Sequence, residues 1–529
     1  MTSNRYDAIV IGGGHNGLVA AAYLARGGKK VCVLERRPVL GGAAVTEEVY
    51  PGFKFSVFSY VVSLLRPEII RDLDLPSHGL QILPLESTVT PMDNGDYLAG
   101  WADWDETRRE LMRHSARDAE AMVEFGRLMQ HMAMAVKPIL GMVPPDPASM
   151  APSDLLGLLK LGGHFRSLGA ERFHALYKLM TMSSADYLDE WYEFDALKAT
   201  KSASGIIGTF LGPRSPGSAY VLLHHYMGEI DGAFRAWGFQ KGGTGAISEA
   251  IASAARAHGC EIRTDASVER VLVSGETAVG VALKNGDELR APIVISGLDP
   301  RLTFTRLLDP RQLPTDLVDG VNRYKFRGSS GKVNLALSGL PDFTCLKGDK
   351  ELAARAARGA FSISPSMEYL ERAYDDAKYG QFSRNPYMDI VIPSMIDPGM
   401  APPGKHVMSI FVQYAPHNIT GGWDDAKRDA FGNAVIKTIA RYAPNIESLI
   451  LHKQVITPAD IERITGLTEG NIFQGELALH QLFFLRPAPQ WAKYRTPIRG
   501  FWQCGAGTHP GGGIMGASGR LAALEILGQ

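Results

Sequence analysis

The chain has 529 residues, of which 45% are hydrophobic and 21% charged, as is typical of a soluble globular protein with more than one domain. Its formal net charge of −1 gives no global field to attract nucleic acid, so we expect no nucleic-acid partner. No apolar run reaches the roughly 18–20 residues that a spanning helix needs. Without a secretory signal pattern at its start, the sequence predicts a cytoplasmic protein.

The cysteines exclude three kinds of chemistry. The four cysteines, Cys32, Cys260, Cys345 and Cys504, lie far apart and form no C-x-x-C pair. A disulfide framework, a zinc site and a thioredoxin-like redox pair are therefore all unsupported, and we expect no metal. We expect buried, reduced thiols instead.

The chain opens with a predicted βαβ unit. Residues 7–11 form a short, β-branched apolar run, and they lead directly into the G-x-G-x-x-G sequence of residues 12–17. A predicted helix over residues 18–26 is followed by a predicted strand, Val31–Leu34, which ends at Glu35. This order of strand, glycine loop, helix, strand and acid predicts a site for the ADP half of a dinucleotide.

Each part of this unit has a physical role. Gly12 permits a tight turn, Gly14 lets the backbone approach a pyrophosphate, and Gly17 allows close packing of helix on strand. The helix N-terminus stabilises the diphosphate, and His15 holds the turn. The Glu35 carboxylate can accept hydrogen bonds from both ribose hydroxyls. The predicted cofactor-binding residues here are Gly12, Gly14, His15, Asn16, Gly17, Glu35 and Arg36.

A second glycine pair decides which dinucleotide we expect. The first motif does not by itself separate FAD from NAD. Arg36 and Arg37 would suit a 2′-phosphate, but Glu35 would repel one. Gly41-Gly42, followed by Ala43, lies just beyond the acid, where a second backbone segment could approach the diphosphate of an elongated FAD. We therefore predict FAD, with the segment 41–43 among its contacts.

The C-terminus carries a second strand, glycine loop and helix. Residues 500–505 predict a strand, residues 505–516 include six glycines, and residues 517–527 predict a helix. Such a loop lets an aromatic ring lie against the backbone, and the helix N-terminus would offset negative charge on a reduced flavin. The residues predicted to bind cofactor here are Gly507, Thr508, Gly512 and Gly516.

The middle of the chain alternates between cofactor-domain pieces and insertions. A glycine cluster at 242–245 precedes a predicted helix at 247–258, and further strands are predicted up to Ile293–Ser296. The first insertion, residues 51–240, is predicted to be mainly helical and is rich in methionine, although residues 220–223 predict a strand. The second insertion, residues 331–475, mixes predicted strands with a helix near 424–442.

Several stretches resemble one family. Residues 14–18, 213–218, 220–225, 401–404, 470–473 and 507–513 are similar to the pyridine nucleotide-disulfide oxidoreductase domain-containing protein 2 family, within the phytoene desaturase-like FAD-dependent oxidoreductases. The resemblance covers essentially the whole chain. One departure concerns Ala43, which stands where amine oxidases place an arginine. The disulfide chemistry in the family name is not expected, because the chain has no C-x-x-C.

The resemblance implies an α/β fold in which a Rossmann-like FAD-binding domain is interleaved with an α+β substrate domain, made of a mixed sheet and a helical cap, as in amine oxidases and phytoene desaturases. It assigns residues 1–60, 241–330 and 476–529 to the FAD-binding domain. Residues 61–240 become the helical cap and substrate region, and 331–475 the substrate-domain sheet and helices. It also implies that Val268 presents its backbone to adenine.

The resemblance and the motifs together predict a FAD-dependent dehydrogenase that takes hydride from an apolar substrate. His509, in the C-terminal loop, and His225, beside His224, are the candidate catalytic residues. Two alternatives stay open: a flavin amine oxidase, whose aromatic pair and lysine the sequence does not locate, and a FAD-bearing interaction or regulatory protein with little turnover. The expected partners are a small apolar substrate and an electron acceptor (oxygen, quinone or nicotinamide). Peripheral membrane contact and the oligomeric state stay open.

Overall fold

A computed structural model describes residues 5–230, 233–234 and 237–528, with only the backbone described at 233 and 234. The strands are β1 (Ala8–Ile11), β2 (Val31–Leu34), β3 (Thr46–Tyr50), β4 (Phe53–Ser56), β5 (Ile82–Pro84), β6 (Ser87–Pro91), β7 (Tyr97–Trp101), β8 (Glu229–Ile230), β9 (Ala233–Phe234), β10 (Gly238–Gln240), β11 (Glu261–Arg263), β12 (Val268–Ser274), β13 (Thr277–Leu283), β14 (Glu288–Arg290), β15 (Ile293–Ser296), β16 (Ser330–Leu337), β17 (Ala360–Ile363), β18 (Tyr387–Val391), β19 (His406–Gln413), β20 (Ile450–Ile456) and β21 (Phe501–Gln503).

The α-helices are α1 (His15–Arg26), α2 (Pro67–Asp72), α3 (Trp104–Met112), α4 (Ala116–Leu140), α5 (Pro152–Ser167), α6 (Gly169–Thr181), α7 (Ser184–Asp189), α8 (Asp195–Ala203), α9 (Ser218–Tyr226), α10 (Gly245–Ala257), α11 (Pro300–Thr305), α12 (Thr315–Arg323), α13 (Lys350–Ala357), α14 (Met367–Lys378), α15 (Asp425–Ala440), α16 (Ile446–Leu449), α17 (Pro458–Thr465) and α18 (Ala517–Leu527). Among the residues described, no helix is both long and apolar enough to cross a membrane.

A parallel sheet of five strands, in the order β11-β2-β1-β15-β21, collects segments from both ends and the middle of the chain. Ile9 of β1 pairs with Cys32 on one side and Val294 on the other. All four residues of β1 and of β2 are buried, as expected of strands covered on both faces. Helix α1 packs against α10 and α18. The strands predicted at 7–11, 31–34, 293–296 and 500–505 are confirmed, so the three separated segments build one Rossmann-like layer.

A mixed sheet of seven strands forms the second layer, in the order β20-β16-β19-β18-β17-β6-β7. Its pairs are antiparallel except for β17 with β6, which run parallel. Two of its strands, β6 and β7, come from the first insertion, whose other elements are mainly the helices α2 to α9. The domain boundaries given above stay a prediction.

Helices α4 to α9 form the cap. Phe125, Met129 and Met132 of α4 share an apolar cluster with Leu222 and Leu223 of α9. The strand predicted at residues 220–223 is wrong, because these residues lie inside the helix α9. Every residue of α9 is buried, so the segment has no polar face to give it a helical period, and a short apolar run is ambiguous between helix and strand.

Candidate active site

One cleft contains most of the predicted site residues. The volume of the cleft is about 1350 Å³, including its solvent-open mouth. What we call the dinucleotide half is lined by Gly12, Gly14, His15, Asn16, Gly17, Glu35, Gly41, Gly42, Ala43, Ala44, Gly297, Leu298, Asp299, Leu302, Thr465, Gly466 and Leu467. The substrate half is lined by Tyr60, Val61, Ser63, Leu64, Ile207, His225, Trp237, Phe411, Ile472, Phe473, Gly513 and Ile514. Phe58, Ser59, Gln474 and Ala506 lie between the halves in our division.

The first glycine loop combines close packing with open space. A Cβ placed on Gly17 would lie 2.3 Å from the carbonyl oxygen of Gly12, so no side chain fits there. Gly12 itself has φ +96°, in the left-handed region. A Cβ on Gly14, at the N-cap of α1, would meet nothing within 4 Å. Gly17 therefore serves the packing of α1, whereas Gly14 leaves its space to a ligand.

Backbone amides hold the Glu35 carboxylate in place. The Gly13 N–H donates to Oε2 at 2.8 Å, and the Arg37 N–H donates to Oε1 at 2.9 Å. Glu35 is buried at the end of β2 and lines the cleft. Its remaining lone pairs are available to the two hydroxyls of a ribose.

The second glycine pair packs directly on the first loop. The Gly41 N–H donates to the Gly13 carbonyl at 2.8 Å. Gly41 has φ +117°, and a Cβ on it would lie 2.1 Å from the Ala44 carbonyl oxygen. A Cβ on Gly42 would lie 3.5 Å from the Gly14 Cα. The two glycine signals of the sequence are therefore parts of one backbone surface.

Two buried polar atoms at this surface have no partner among the described residues: His15 Nε2 and Asn16 Oδ1. Both residues are in the first turn of α1, where free backbone N–H groups also point outward. Burial lowers the pKa of His15 to about 4, so its ring is neutral at physiological pH. A bound FAD would supply polar partners and a diphosphate at the helix N-terminus, so the residues present fit this cofactor.

The substrate half contains an aromatic pair. The rings of Tyr60 and Phe411 stack, with centroids 5.4 Å apart and 17° between their planes. The Tyr60 hydroxyl donates to Asp389 at 3.0 Å, and burial raises the pKa of the Asp389 carboxyl. This hydrogen bond fixes the Tyr60 ring in the cleft wall.

His225 is the candidate catalytic residue that lines the cleft. Its Nδ1 lies 2.9 Å from the Val221 carbonyl oxygen, one helical turn earlier, and its ring stacks on Trp237 with centroids 5.7 Å apart. A carbonyl only accepts, so Nδ1 carries the hydrogen and Nε2 keeps a lone pair. Burial lowers the pKa of His225 to about 4, so its ring is neutral at physiological pH.

His509 and His224 are not among the residues that line the cleft. His509 is buried, its Nε2 is 3.0 Å from the Ile139 carbonyl, and its own carbonyl accepts from Tyr494 at 2.9 Å. These contacts fasten the C-terminal loop to α4, and a catalytic role for His509 stays a prediction. His224 is fully buried with neither ring nitrogen hydrogen-bonded to a described residue.

Two predicted cofactor residues of the first and middle segments do not line the cleft. The Arg36 guanidinium donates to the Ile464 carbonyl at 2.7 Å and so joins β2 to the end of α17. Val268 begins β12, and just before it the Ala266 N–H donates to the Glu35 carbonyl at 2.8 Å. Arg36 thus binds the residue before Thr465, which lines the cleft, and Val268 follows two residues after the contact with Glu35. Contacts of Arg36 and Val268 with FAD stay a prediction.

Predicted residues of the C-terminal loop also lie outside the lining, namely Gly507, Thr508, Gly512 and Gly516. Thr508 Oγ1 donates to the Gly505 carbonyl at 2.8 Å. A Cβ on Gly512 would lie 2.6 Å from Phe473, and one on Gly516 would lie 2.8 Å from Ile69. In the structure these glycines allow close packing, while the neighbouring Gly513 lines the cleft.

The sequence reasoning missed the contribution of residues 465–474 and of Asp299. Asp299 caps α11 by accepting from the Leu302 N–H at 3.0 Å, and its other oxygen accepts from the Thr468 N–H at 3.0 Å. Gln474 Oε1 accepts from the Gly507 N–H at 2.9 Å. For Asp299 the sequence signal was Asp299-Pro300, a helix N-cap followed by proline, which marks the start of a helix. For the second segment it was the family resemblance of residues 470–473, which did not point to the cleft.

The fold and the cleft together define a flavoprotein of the amine oxidase and phytoene desaturase class. The sequence model of the family described as flavin containing amine oxidoreductase matches residues 17–527. The chain is 42% identical over 548 residues to pyridine nucleotide-disulfide oxidoreductase domain-containing protein 2 of Rattus norvegicus, an alignment that covers 99% of this chain and 93% of the rat protein. The chain belongs to the flavin containing amine oxidoreductases, and within them to the family of that rat protein.

Two further similarities are more distant. The chain is 26% identical over 541 residues to one of the subunits of limonene dehydrogenase from Castellaniella defragrans, covering 98% of this chain and 94% of that one. Its fold is similar to that of wild-type putrescine oxidase, with a TM-score of 0.60 at 17% identity and 99% coverage of both chains. The protein is thus a FAD-dependent oxidoreductase, as predicted.

Proposed function

We propose that the protein is a dehydrogenase that removes hydride from an apolar substrate. The observation that carries this proposal is the lining of the substrate half, which consists mainly of aliphatic and aromatic side chains. The carboxylates among the described lining residues are Glu35 and Asp299, and both belong to the dinucleotide half. A cationic substrate that entered this half would lose its hydration, and no carboxylate of the described lining would compensate its ammonium group. Such a transfer is costly.

His225 is the residue that we propose as the proton acceptor. When bound, FAD supplies a two-electron acceptor for a hydride from a substrate C–H. A desaturation also releases a proton from the neighbouring carbon, and Nε2 of His225 has the lone pair to take it. The hydrogen bond to Val221 and the stack on Trp237 fix the ring that presents Nε2.

One relative supports the same substrate class. Limonene, which gives the Castellaniella defragrans protein its name, is a hydrocarbon, and that protein is similar to this chain along nearly its whole length. We infer an apolar substrate of this kind, together with an electron acceptor that reoxidises the flavin.

The test is anaerobic reduction of the purified FAD-loaded protein, followed by loss of its visible flavin band, against separate panels of terpenes, polyenes and amines. We expect bleaching by at least one hydrocarbon, and a much slower reaction in His225→Gln. Exposed His480→Gln is the matched control. Bleaching by amines alone would overturn the proposed substrate class.

A flavin amine oxidase is the second candidate, because the structure contains an aromatic pair and a buried lysine. Tyr60 and Phe411 form the pair described above. Lys332 Nζ donates to the Ser56 carbonyl at 2.9 Å and to Ser409 at 2.7 Å, and burial lowers the pKa of this lysine well below its ordinary value. Lys332 is not among the lining residues, however, and the described lining of the substrate half contains no carboxylate for an amine. We therefore rank this function second.

A further inference from the structure

We propose that helices α5 and α6 dock the protein onto the surface of an anionic lipid bilayer. The helix α5 carries an unusual outer face. Leu155, Leu156 and Leu159 are 45%, 53% and 73% exposed. The buried residue of this helix is Asp154, and none of its leucines is buried. A leucine-rich helix of 16 residues whose leucines are not buried in the protein indicates an apolar partner on its outer face.

The exposed apolar surface continues beyond α5. Met150, just before the helix, is 81% exposed. On α6, Phe173 and Tyr177 are 43% and 63% exposed and lie one helical turn apart. We call these six residues the apolar face: Met150, Leu155, Leu156, Leu159, Phe173 and Tyr177. Aliphatic and aromatic side chains on adjacent helices are the composition expected of a helix pair that lies in a membrane interface.

The charges beside the apolar face select an anionic partner. Residues 150–178 contain Lys160, Arg166, Arg172 and Lys178 against the acids Asp154 and Glu171. Asp154 is buried and paired with Lys493, so it does not weaken the positive surface. Lys160, Arg166 and Arg172 are exposed on the same two helices as the apolar face, and the exposed acid there is Glu171. Cations at the rim of an apolar face attract anionic lipid headgroups.

The same charges argue against a second copy of the chain as the occupant. In a symmetric dimer each surface faces its own copy, so the three cations of one protomer would meet those of the other across the interface. Like charges brought together in this way oppose association. An anionic bilayer satisfies both features, because its acyl region takes up the leucines and its headgroups neutralise the cations.

The surface is connected to the active site through the cap. Helix α6 packs against α9, and α9 carries His225 into the cleft wall. A protein docked through α5 and α6 would have its cap next to the bilayer, in whose interior apolar molecules dissolve. The proposal nevertheless stands without the proposed substrate, because membrane binding is measured without turnover.

The experiment is co-sedimentation of the full-length FAD-loaded protein with vesicles of phosphatidylcholine, with or without phosphatidylglycerol. We expect binding to the anionic vesicles that weakens as salt is added. The double variant Leu156→Glu with Leu159→Glu should lose about tenfold or more in partition coefficient. Each of Lys160→Gln, Arg166→Gln and Arg172→Gln should lose about fivefold. Tyr379→Glu, at an 80% exposed aromatic just beyond the end of α14, is the control and should bind as the parent does.

The variants alter exposed side chains, so an unchanged flavin spectrum and melting temperature will show that they fold. Two results would overturn the proposal: a parent protein that does not bind anionic vesicles, or a double variant that binds them equally well. Sedimentation velocity tests the alternative that a second copy of the chain covers the apolar face. A dimer that becomes a monomer in the double variant, without vesicle binding by the parent, would assign the apolar face to a second copy.

Discussion

The two halves of the cleft are built in different ways. The dinucleotide half is made chiefly from backbone groups and glycines in short stretches such as residues 12–17 and 41–44, and its loops contact each other through the hydrogen bond from Gly41 to Gly13. The substrate half is made from single side chains of distant segments, such as Tyr60, His225 and Phe411. Local spacing therefore encodes the first half, whereas the second depends on how the cap and the mixed sheet pack together.

The largest expected effect separates the two roles of glycine in the dinucleotide half. Gly17→Ala should lower the free energy of unfolding by about 3 kcal/mol, because its Cβ would lie 2.3 Å from the Gly12 carbonyl oxygen. Gly14→Ala should change stability by less than about 1 kcal/mol, because its Cβ meets no protein atom, but should weaken FAD binding. Denaturant unfolding of the apoprotein and FAD titration measure the two effects. Equal loss of stability in both variants would contradict this division of roles.

A second experiment tests the side-chain character of the substrate half. His225→Gln should slow flavin reduction about 10²-fold or more if Nε2 takes the proton. The pKa of His225 is lowered to about 4, so the parent rate should stay level at neutral pH and fall as the pH drops through about 4. The variant should lack this fall, as measured by stopped-flow reduction. An unchanged rate in the variant would assign the proton to another group.

Replacing the acid of the dinucleotide half should affect binding and not chemistry. Glu35→Gln should raise the Kd for FAD about tenfold to a hundredfold, because hydrogen bonds to a charged acceptor are lost. The rate of flavin reduction at saturating FAD should stay close to that of the parent. Glu48→Gln, whose carboxylate accepts from the Gly52 N–H near the surface, is the control. A fall in rate without a change in Kd would place Glu35 in the reaction instead.

The smallest expected effect, taken per pH unit, concerns Lys332 in the mixed sheet. Its pKa is lowered in the fold, so the unfolded chain binds one more proton between that pKa and the ordinary 10.5. Stability should therefore rise with pH across this window, by up to about 1.4 kcal/mol per pH unit relative to Lys332→Met. Denaturant unfolding at several pH values measures the difference. Parallel pH curves for parent and variant would show that Lys332 stays charged when buried, and Lys453→Met on β20 controls for loss of a lysine.

Much of the fold could be predicted because its local signals agree. The strands Val31–Leu34 and Ile293–Ser296 and the helix Ala517–Leu527 have the predicted bounds. The wrong strand at 220–223 lies in α9, where complete burial removes the alternation between apolar and polar positions. The membership of β6 and β7 in the mixed sheet could not be predicted either. The pairing of β6 with β17, more than 250 residues away, leaves no mark in the local sequence, and β7 joins the sheet only through β6.

The sequence by itself determined the class of cofactor, because a glycine loop, a helix N-terminus and an acid have to follow one another at fixed spacing to hold a dinucleotide. The tertiary structure decided which side chains line the cleft: it placed His225 in the cleft wall and His509 against the Ile139 carbonyl. It also brought Asp299 to Thr468, which adds residues 465–474 to the cofactor cleft. The physical reason is that a backbone cradle is set by neighbours in the chain, while a substrate wall is set by packing between segments that are distant in sequence.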